Sequence, residues 1–497
     1  MIDSELADIE RQILARRPEH SIDPSLDRIR ELTKLLGDPQ GAYPVIHITG
    51  TNGKTSTARM TETLLRARGL RTGLFTSPHL VSIRERISVD GEPVSAERFV
   101  EIYREIEPYL HLVDQNQPVP LSFFEVLVGM AFAAFADAPV DVAVIEVGMG
   151  GTWDNTNVAD GAVAVVTPIS IDHAKYLGET VSQIAADKAG IIKPGAVAVL
   201  GQQPVDAATE LIRRAVQVGA TVAREGIEFG VLSRELAIGG QRLSIRGLLG
   251  DYHDLYLPLF GAYQAGNAAC ALAAVEAFSG ARGSAAGSVA ERAGGAAGGL
   301  AGGAVARSGG SSQSESAGLD SQLVATAFAM MSSPGRLEIV RRSPVVVIDS
   351  AHNPAGMAAA ADALTESFGP AEVIAVLAVS ADKDVARILD ELEPAAAAVV
   401  ATTNSSSRCM PAAMLAELAR PVFGPDRVHV ADRLDDAIEL AVSLADEATA
   451  AVSGPLTGLI SGDAELGIDG ATGTVVLITG SVITAGDARL LLTGDRG

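Results

Sequence analysis

Short hydrophobic runs alternate with longer helical patterns along the first half of the chain. Examples are VIHIT, VDVAVIEV and AVAVV. Apolar runs without polar alternation are typical of strands buried on both faces, so they predict a parallel sheet with crossover helices. Residues 228–259 alternate apolar and polar positions instead. This pattern predicts a small antiparallel hairpin set at the edge of the same α/β domain.

The second half of the chain repeats this alternation. VVVID, AEVIAVLAVS and TVVLITGS predict buried strands of a second, smaller, doubly wound α/β domain. Residues 279–318 are mostly Gly, Ala and Ser, which lack the bulky apolar groups that offset ordering entropy, so a flexible linker is expected. A Gly-rich stretch at 453–474 is expected to be a surface insertion. The predicted divisions are a first domain over 1–278, a linker over 279–322 and a second domain over 323–497.

Composition and charge exclude several classes of protein. The 497 residues include 38 Lys and Arg against 61 Asp and Glu, a net charge of −23, which argues against nucleic-acid and anionic-membrane binding. Any anionic substrate therefore needs a local basic site. Two cysteines, Cys270 and Cys409, exclude a disulfide scaffold and favour a reducing cytoplasm. The acidic N-terminus predicts no signal peptide, and no apolar run approaches the ~20 residues of a membrane span.

A glycine-bearing turn, Gly50–Thr55, joins the strand VIHIT to a helix. Such a turn lets backbone amides approach phosphate oxygens at the positive end of the helix dipole. Lys54 adds a point charge, and Thr55 offers a hydroxyl to magnesium. The strict phosphate-loop pattern requires glycine where this chain has Ile48, so the loop is a shortened one. The alternative is a plain glycine turn with an exposed lysine.

Polar residues also follow other predicted strands. Ser77 and Glu146 lie at two such strand ends, where ligands of open α/β sheets bind, and their oxygens suit magnesium. The pair Asp172-His173 follows a third strand and is either a metal-binding or a capping pair. Ser77 and Glu146 have simpler alternatives, as a turn residue and a solvated carboxylate. Lys188 lies in an apolar helix, where an ammonium is costly unless it is paired or modified.

The order of these motifs resembles that of the folylpolyglutamate synthases and bifunctional dihydrofolate synthases, relatives of the Mur peptide ligases. HITGTNGKTST, TSPHL, SFFE, EVGMGG, ISIDHAKYLG, DKAGIIKPG, SPGRLE and DSAHNP carry the resemblance. It covers essentially the whole chain apart from the two Gly-rich tracts. The resemblance implies a Mur-ligase-like ATPase domain with a phosphate loop and a parallel sheet, followed by a smaller doubly wound C-terminal ligase domain.

The resemblance also implies roles for individual residues. The implied ATP-binding residues are Gly50, Thr51, Asn52, Gly53, Lys54, Thr55, Asn267, Arg336 and Asp349. The implied magnesium ligands, for a site of two ions, are Ser77, Glu146 and His173. The implied folate- or pterin-binding residues are Ile22, Asp23, Pro24, Leu121, Ser122, Phe123 and Phe124. The implied catalytic residues are Lys54, Lys188, His173 and His352, with a carbamate on Lys188.

The expected activity is that of a cytoplasmic, monomeric ligase that uses ATP and magnesium to add L-glutamate to dihydropteroate, to folates or to both. Its expected partners are small molecules, with neither nucleic acid nor membrane. The sequence departs from the family at Thr152, Tyr263 and Asp187, where Arg, His and Glu are usual. Two alternatives stay open: a Mur-type ligase with another carboxylate substrate, and an idle nucleotide-binding homologue. Thr152 and Tyr263 motivate the second alternative.

Overall fold

Two sheets of mostly parallel strands, each flanked by helices, form the framework of the protein in the computed structural model. This arrangement confirms the predicted α/β class. The structure describes residues 2–18, 21, 23–294, 318–369, 371–452 and 473–494, without the side chains of 281–294 and 450–452. No helix among these residues has the length and apolar character that a bilayer crossing requires.

The first sheet has eight strands within the described residues, in the order β4-β3-β2-β5-β1-β6-β7-β8. The strands are β1 (Val45–Thr49), β2 (Thr72–Phe75), β3 (Ile87–Val89), β4 (Glu92–Pro93), β5 (Val142–Glu146), β6 (Gly161–Val166), β7 (Val197–Leu200) and β8 (Thr221–Arg224). Parallel pairing joins six neighbouring strands, in the order β2-β5-β1-β6-β7-β8. The other two strands, β3 and β4, are antiparallel additions at one edge. Every residue of β1 and β5 is buried, as their apolar runs predict.

Helices cover both faces of this sheet. They are α1 (Ile2–Leu14), α2 (Asp27–Leu35), α3 (Lys54–Ala67), α4 (Ala96–Asn116), α5 (Phe123–Asp137), α6 (Ala174–Leu177), α7 (Val181–Lys188), α8 (Val205–Val218) and α9 (Ala262–Gly294). Alternate residues of β1 face opposite sides: Ile46 and Ile48 pack with α3 and α9, and Val45 packs with α4 and α5. The strand ends between these layers therefore carry the loops that can bind a ligand.

The antiparallel strands predicted over 228–259 are present and form a sheet of their own in the first unit. β9 (Gly230–Ala237), β10 (Gly240–Arg246) and β11 (Asp251–Leu257) pair in the order β11-β10-β9. Leu243 and Leu255 are buried in the same core as Leu272 of α9. The apolar face of this small sheet is thus covered by α9. The small sheet therefore forms its own layer on the first unit.

The boundary between the two units differs from the predicted one. Of the predicted linker 279–322, residues 279–294 belong to α9, and 295–317 lie outside the described residues. A further helix, α10 (Ser321–Ala329), buries Val324 and Phe328 in the core of the first unit. The second unit therefore begins after α10 rather than at residue 323, because these apolar side chains pack on α3 and β11. The predicted insertion at 453–474 lies almost wholly outside the described residues.

The second unit is a smaller doubly wound domain. Its strands are β12 (Glu338–Arg342), β13 (Val345–Ile348), β14 (Glu372–Leu377), β15 (Ala396–Ala401), β16 (Val428–Val430) and β17 (Thr474–Thr479), in the order β12-β13-β17-β14-β15-β16. Its helices are α11 (Pro354–Phe368), α12 (Val385–Leu392), α13 (Ala412–Phe423), α14 (Leu434–Val452) and α15 (Val482–Thr493). Residues of α11, α12 and α13 pack on one face of the sheet, and residues of α14 and α15 pack on the other.

Candidate functional site

The turn between β1 and α3, residues 50–55, is the segment for which the sequence predicts a phosphate loop. Gly50 has a φ of +147°, and a Cβ there would lie 1.8 Å from Thr167 Oγ1. Gly53 has a φ of +88°, and a Cβ there would lie 2.3 Å from Asn267 Oδ1. Both positions require glycine, because of these φ values and because neighbouring atoms occupy the space of a side chain. The loop leads into the N-terminus of α3, a position that favours an anion.

Lys54 is the first residue of α3. Its Nζ donates a hydrogen bond to Thr51 O at 3.0 Å, which holds the ammonium beside the loop. Desolvation lowers the pKa of Lys54, and the carboxylates of Glu146 and Asp172 oppose that shift. The positive charge of Arg336, in the second unit, lowers the pKa of the same ammonium from across the cleft. Lys54 can therefore offer its charge to a phosphate group.

The carboxylate of Glu146, at the end of β5, contacts residues that follow β1 and β2. Glu146 ends β5 and is 1% exposed. Its Oε1 accepts a hydrogen bond from Thr55 Oγ1 at 2.9 Å, and its Oε2 accepts one from Ser77 N at 3.2 Å. Burial raises the pKa of Glu146, and Lys54 lowers it. Because β2, β5 and β1 are neighbours, the order of the strands brings these residues together.

His173 lies in a different polar group, centred on Asp172. His173 Nε2 is 3.8 Å from Asp172 Oδ2. His173 directly precedes α6 and has a backbone φ of +52°. Burial lowers the pKa of His173 to about 4, so its ring is neutral near pH 7. In the part of the chain that the structure describes, no hydrogen bond or ion pair joins His173 to Glu146 or Ser77.

Asp172 receives polar groups from both units. Its Oδ1 accepts a hydrogen bond from Lys383 Nζ at 3.0 Å, and its Oδ2 accepts one from Asn353 Nδ2 at 3.1 Å. His352 Nε2 is 3.8 Å from the same Oδ2. Asn353 Nδ2 also lies 3.1 Å from Asn52 Oδ1 in the phosphate loop. These bonds connect the AHNP turn of the second unit directly to the phosphate loop.

Asp349 and Arg336 form the facing wall of the cleft. Asp349 is 4% exposed, and its two carboxylate oxygens accept hydrogen bonds from Leu337 N at 3.0 Å and Ala351 N at 2.8 Å. Burial raises the pKa of Asp349, and Arg336 lowers it. The same guanidinium lowers the pKa of Glu146 in the first unit. Arg336 therefore contributes positive charge to the space between the units.

Asn267 and Tyr263 lie at the start of α9, beneath this cleft. Asn267 is buried, and its Nδ2 donates to Gln264 Oε1 at 3.0 Å while its Oδ1 faces Gly53. Tyr263 packs against the core of the second unit, and burial raises the pKa of its hydroxyl. Tyr263 thus fills the junction of the two units where the family usually has histidine.

Lys188 ends α7 and is only 4% exposed. Its Nζ donates a hydrogen bond of 2.7 Å to Gly50 O, so the amine lies directly behind the phosphate loop. Burial lowers the pKa of Lys188 to about 7, and the charge of Lys54 adds to this effect. A substantial fraction of this amine is therefore neutral at pH 7.

The predicted pterin segments lie next to each other. Asp23 Oδ2 accepts a hydrogen bond from Arg28 Nη1 at 2.8 Å, and Arg28 Nε donates to Glu125 Oε1 at 2.8 Å. Ser122 caps α5 through a capping box with Glu125. Phe124 is buried against Gly148, where a Cβ would lie 2.6 Å from its ring.

Other members of the pterin set are mainly core residues. Leu121 and Phe123 are 0% and 6% exposed, and Arg86 Cζ lies 5.0 Å from the centroid of the Phe123 ring. Pro24 is exposed beside Asp23, and Ile22 lies outside the described residues. The segment over 121–124 therefore shapes the wall behind Asp23 by packing.

Thr152 does not face the phosphate loop. Its N and Oγ1 donate to Asp187 O at 3.0 and 2.9 Å, and its exposed side chain lines a basic cavity with Arg30 and Lys193. The family usually has arginine at this position. The Thr152 side chain lies at the cavity, on the loop that follows β5.

Two residues of this region carry no sequence-based assignment. Lys383 follows β14, and Arg28 of α2 is 5% exposed between Asp23 and Glu125. The strand-end rule could have indicated Lys383, because it lies in ADKD directly after a buried strand of the second sheet. Arg28 could have been indicated by its position as a charged residue among the buried apolar residues of a helix.

Comparisons with known proteins show which family this chain resembles. Residues 122–275 match the family described as Mur ligase middle domain, and residues 335–454 match the Mur ligase, glutamate ligase domain. A dihydrofolate synthase/folylpolyglutamate synthase of Mycobacterium tuberculosis is 48% identical over 99% of this chain and 94% of its own length.

Solved structures give the same result. The folylpolyglutamate synthase of Mycobacterium tuberculosis, complexed with ADP and AMPPCP, is 46% identical with a TM-score of 0.85, covering 100% of both chains. An FPGS–AMPPCP–folate complex is 28% identical with a TM-score of 0.77, covering 98% of this chain and 100% of the other. The resemblance found in the motifs is thereby confirmed, and the chain belongs to the dihydrofolate synthase/folylpolyglutamate synthase family of Mur-type ligases.

Proposed function

We propose that this protein is an ATP-dependent ligase that joins L-glutamate to dihydropteroate, to reduced folates or to both, through an acyl phosphate. One observation carries the proposal: the phosphate loop with Lys54, the carboxylate of Glu146 and the cation Arg336 converge on one cleft between the two units. A similar protein is named as a synthase of this kind, and solved structures of similar proteins contain ADP, AMPPCP and folate.

The reaction explains why cations lie in the cleft of an acidic protein. A carboxylate is a poor electrophile, so the γ-phosphoryl group of ATP is first transferred to its oxygen, which gives a mixed anhydride and releases ADP. The amine of glutamate then attacks the acyl carbon, phosphate leaves with the electron pair of the broken C–O bond, and the nitrogen loses a proton to solvent as the amide forms. Lys54 and Arg336 stabilise the negative charge that moves during phosphoryl transfer.

Closure of the cleft protects the acyl phosphate from water. The two units contact each other through Asp172 and Lys383, and through Arg234 and Glu366, whose two ion contacts are 2.5 and 2.6 Å. Gly486 of α15 also approaches Leu80, where a Cβ would lie 1.9 Å from the Leu80 carbonyl oxygen. Contacts of this closeness exclude solvent when the substrates are held between the units.

We also propose that magnesium binds near Ser77 and Glu146, with His173 as a third group. A hydroxyl and a buried carboxylate are oxygen donors of the type that Mg²⁺ prefers, and this ion commonly uses one or two carboxylates together with substrate phosphates. Within the described residues, no group of three or more His, Cys, Asp or Glu could hold a metal alone, which suits a site that phosphates complete. When bound, magnesium neutralises phosphate charge.

A carbamate on Lys188 belongs to the same proposal. The neutral amine adds to carbon dioxide, a proton is released, and the product is an anion. The lowered pKa of Lys188 favours this step, since only the neutral amine has a free electron pair. The anion would lie behind the phosphate loop, at Gly50 O, and near Lys54.

For the pterin ring we propose the surface around Asp23, Pro24 and Ser122. Asp23 is held by Arg28 and by Arg17, whose Nη1 lies 3.2 Å from Asp23 Oδ2, so its carboxylate has a fixed position at the surface. These pairs lower the pKa of Asp23 and keep it ionised as an acceptor for ring N–H groups. We further propose a monomer in the cytoplasm, which suits the free thiols of Cys270 and Cys409.

Glutamate-dependent phosphate release tests the assignment of the phosphate loop. Lys54→Ala should abolish it, whereas Lys34→Ala, at an exposed lysine of α2, should leave it unchanged. Wild-type turnover in Lys54→Ala would remove the phosphate-loop assignment. Nucleotide binding without turnover in the wild type, for every folate tried, would favour an idle homologue instead.

A further inference from the structure

The segment between β2 and β3, residues 76–86, reaches from the candidate site into the second unit. Leu80 lies at its tip and packs against the core of the second unit that contains Ile348. A Cβ at Gly335 would lie 2.9 Å from Leu80 Cδ1, and a Cβ at Gly486 would lie 1.9 Å from the Leu80 carbonyl oxygen. A residue of the first unit therefore occupies a space that two glycines of the second unit leave open.

Hydrogen bonds within this segment hold it in one shape. The carboxylate of Glu85 accepts three bonds from the backbone N–H groups of residues 80–82, at distances of 2.7 to 2.8 Å. Thr76 N donates to Arg86 O at 3.2 Å and closes the base of the segment. Arg86 Nε also donates to His79 Nδ1 at 2.9 Å. Because these bonds join tip and base, a displacement of the tip also moves the base.

Ser77 lies at the base of the segment and is 5% exposed. Its backbone N donates to Glu146 Oε2 at 3.2 Å, so Ser77 is held beside the carboxylate that we propose as a magnesium ligand. At the other end, Gly335 directly precedes Arg336, whose charge acts on the cleft. The packing of Leu80 thus connects a proposed metal donor of the first unit with a cation of the second.

We propose that Leu80 is a positioning residue: its packing in the second unit places Ser77 for magnesium when the two units are closed. The inference rests on the proposed function, which assigns Ser77 to the metal. Leu80 takes no part in the chemistry, because its side chain has neither charge nor hydrogen-bonding groups. Closure that also completes the metal site delays phosphoryl transfer until water has left the cleft.

Calorimetry of ATP binding, once with magnesium and once with EDTA, tests the proposal. The ratio of the two affinities is the factor by which magnesium tightens ATP binding. Leu80→Ala should lower this factor about tenfold, because a smaller fraction of molecules holds Ser77 in the competent position. The affinity in EDTA should not change, and Leu80→Met, which nearly conserves the volume, should restore the factor. Equal losses of affinity with and without magnesium, or no loss, would overturn the proposal.

Leu492→Ala is the matched control. Leu492 of α15 packs against the same core of the second unit, but it belongs to that unit. Its truncation removes the same three carbon atoms from the same core and should keep the wild-type magnesium factor. A loss equal to that of Leu80→Ala would overturn the proposal, because weaker packing of the second unit would then explain both variants.

A double variant shows whether Leu80 acts through Ser77. Adding Leu80→Ala to Ser77→Ala should lower the magnesium factor no further than Ser77→Ala alone, and independent losses that add would overturn the proposal. Failure of the proposed metal assignment is distinguishable from failure of this inference. A wild-type factor in Ser77→Ala would remove the assignment and the inference with it. A lowered factor in Ser77→Ala but not in Leu80→Ala would overturn the inference alone.

Discussion

Asp172 of the first unit and Lys383 of the second form an ion pair of 3.0 Å whose side chains are only 10% and 14% exposed. The pair lies beside His173 and His352 and shares its carboxylate with Asn353. Lys383 thus joins the units at the place where the phosphate loop and the AHNP turn meet. This nearly buried pair is one of several contacts that hold the cleft closed, together with Arg234–Glu366 and Asn353–Asn52.

Removal of this contact should lower turnover. Lys383→Met leaves Asp172 without its cation in a poorly solvated place, and loss of one partner of a buried pair costs about 3–5 kcal/mol. We expect glutamate-dependent ADP formation to fall at least about tenfold. In an open cleft the acyl phosphate either does not form or is hydrolysed by water. Arg408→Met is the matched control, since Arg408 and Asp382 form an exposed pair worth ~1 kcal/mol or less. Equal activities of the two variants would contradict this role.

Gly53→Ala should abolish tight nucleotide binding. The added Cβ would lie 2.3 Å from Asn267 Oδ1, and the φ of +88° strains an L-residue. Gly69→Ala is the control, because Gly69 has a φ of +77° but no atom within 4 Å of its Cβ position. Calorimetry with ATP should show a large loss of affinity for Gly53→Ala alone. Wild-type affinity in Gly53→Ala would place the nucleotide elsewhere.

Acid should destabilise the protein through His47. This histidine is 0% exposed, its Nε2 lies 2.9 Å from Thr156 Oγ1, and burial lowers its pKa from 6.5 to about 3. The unfolded chain binds a proton as the pH falls below 6.5 and the folded one does not, so stability is complete above 6.5 and is lost toward pH 3. The loss between pH 6.5 and 5 is about 2 kcal/mol.

Urea unfolding at pH 7 and pH 5 measures this contribution. The pH dependence should become shallower in His47→Gln, whatever the absolute stability of that variant. His111→Gln, at an exposed position of α4, should retain the wild-type dependence. Parallel curves for the wild type and His47→Gln would show that His47 does not titrate as described.

Lys188 should be carbamylated in active enzyme. Removal of bicarbonate and carbon dioxide should lower turnover, and their return should restore it, because the modification is reversible. The mass of the peptide that contains Lys188, measured under non-acidic conditions, should be that of the carbamate. Full activity with an unmodified Lys188 would contradict the proposal and leave the hydrogen bond to Gly50 O as its role.

The sequence indicated those parts of the site that follow from local rules. Ser77 and Glu146 end strands of one parallel sheet, and such ends meet at one edge, so their contact was predictable. Gly50 and Gly53 lie where a turn between strand and helix requires them. These predictions needed only the period of the apolar pattern and the chemistry of short motifs.

Features that depend on packing over long separations were not predictable in this way. Asp172 and Lys383 are 211 positions apart, and their pairing depends on how the two units are oriented. Val324 and Phe328 are apolar, so the sequence alone is compatible with their burial in either domain. Only their packing shows that they belong to the core of the first unit. Likewise, the direction of the Thr152 side chain follows from its bond to Asp187 O, which no spacing indicates.

The proposed ligase activity is tested most directly by identifying the products formed from ATP, magnesium and L-glutamate with either dihydropteroate or tetrahydrofolate as acceptor. We predict stoichiometric ADP and phosphate, together with an acceptor whose mass has increased by one glutamyl residue. Activity with one acceptor assigns the branch, and activity with both establishes a bifunctional synthase. Absence of a glutamylated product with either acceptor, in protein that binds ATP, would contradict the account.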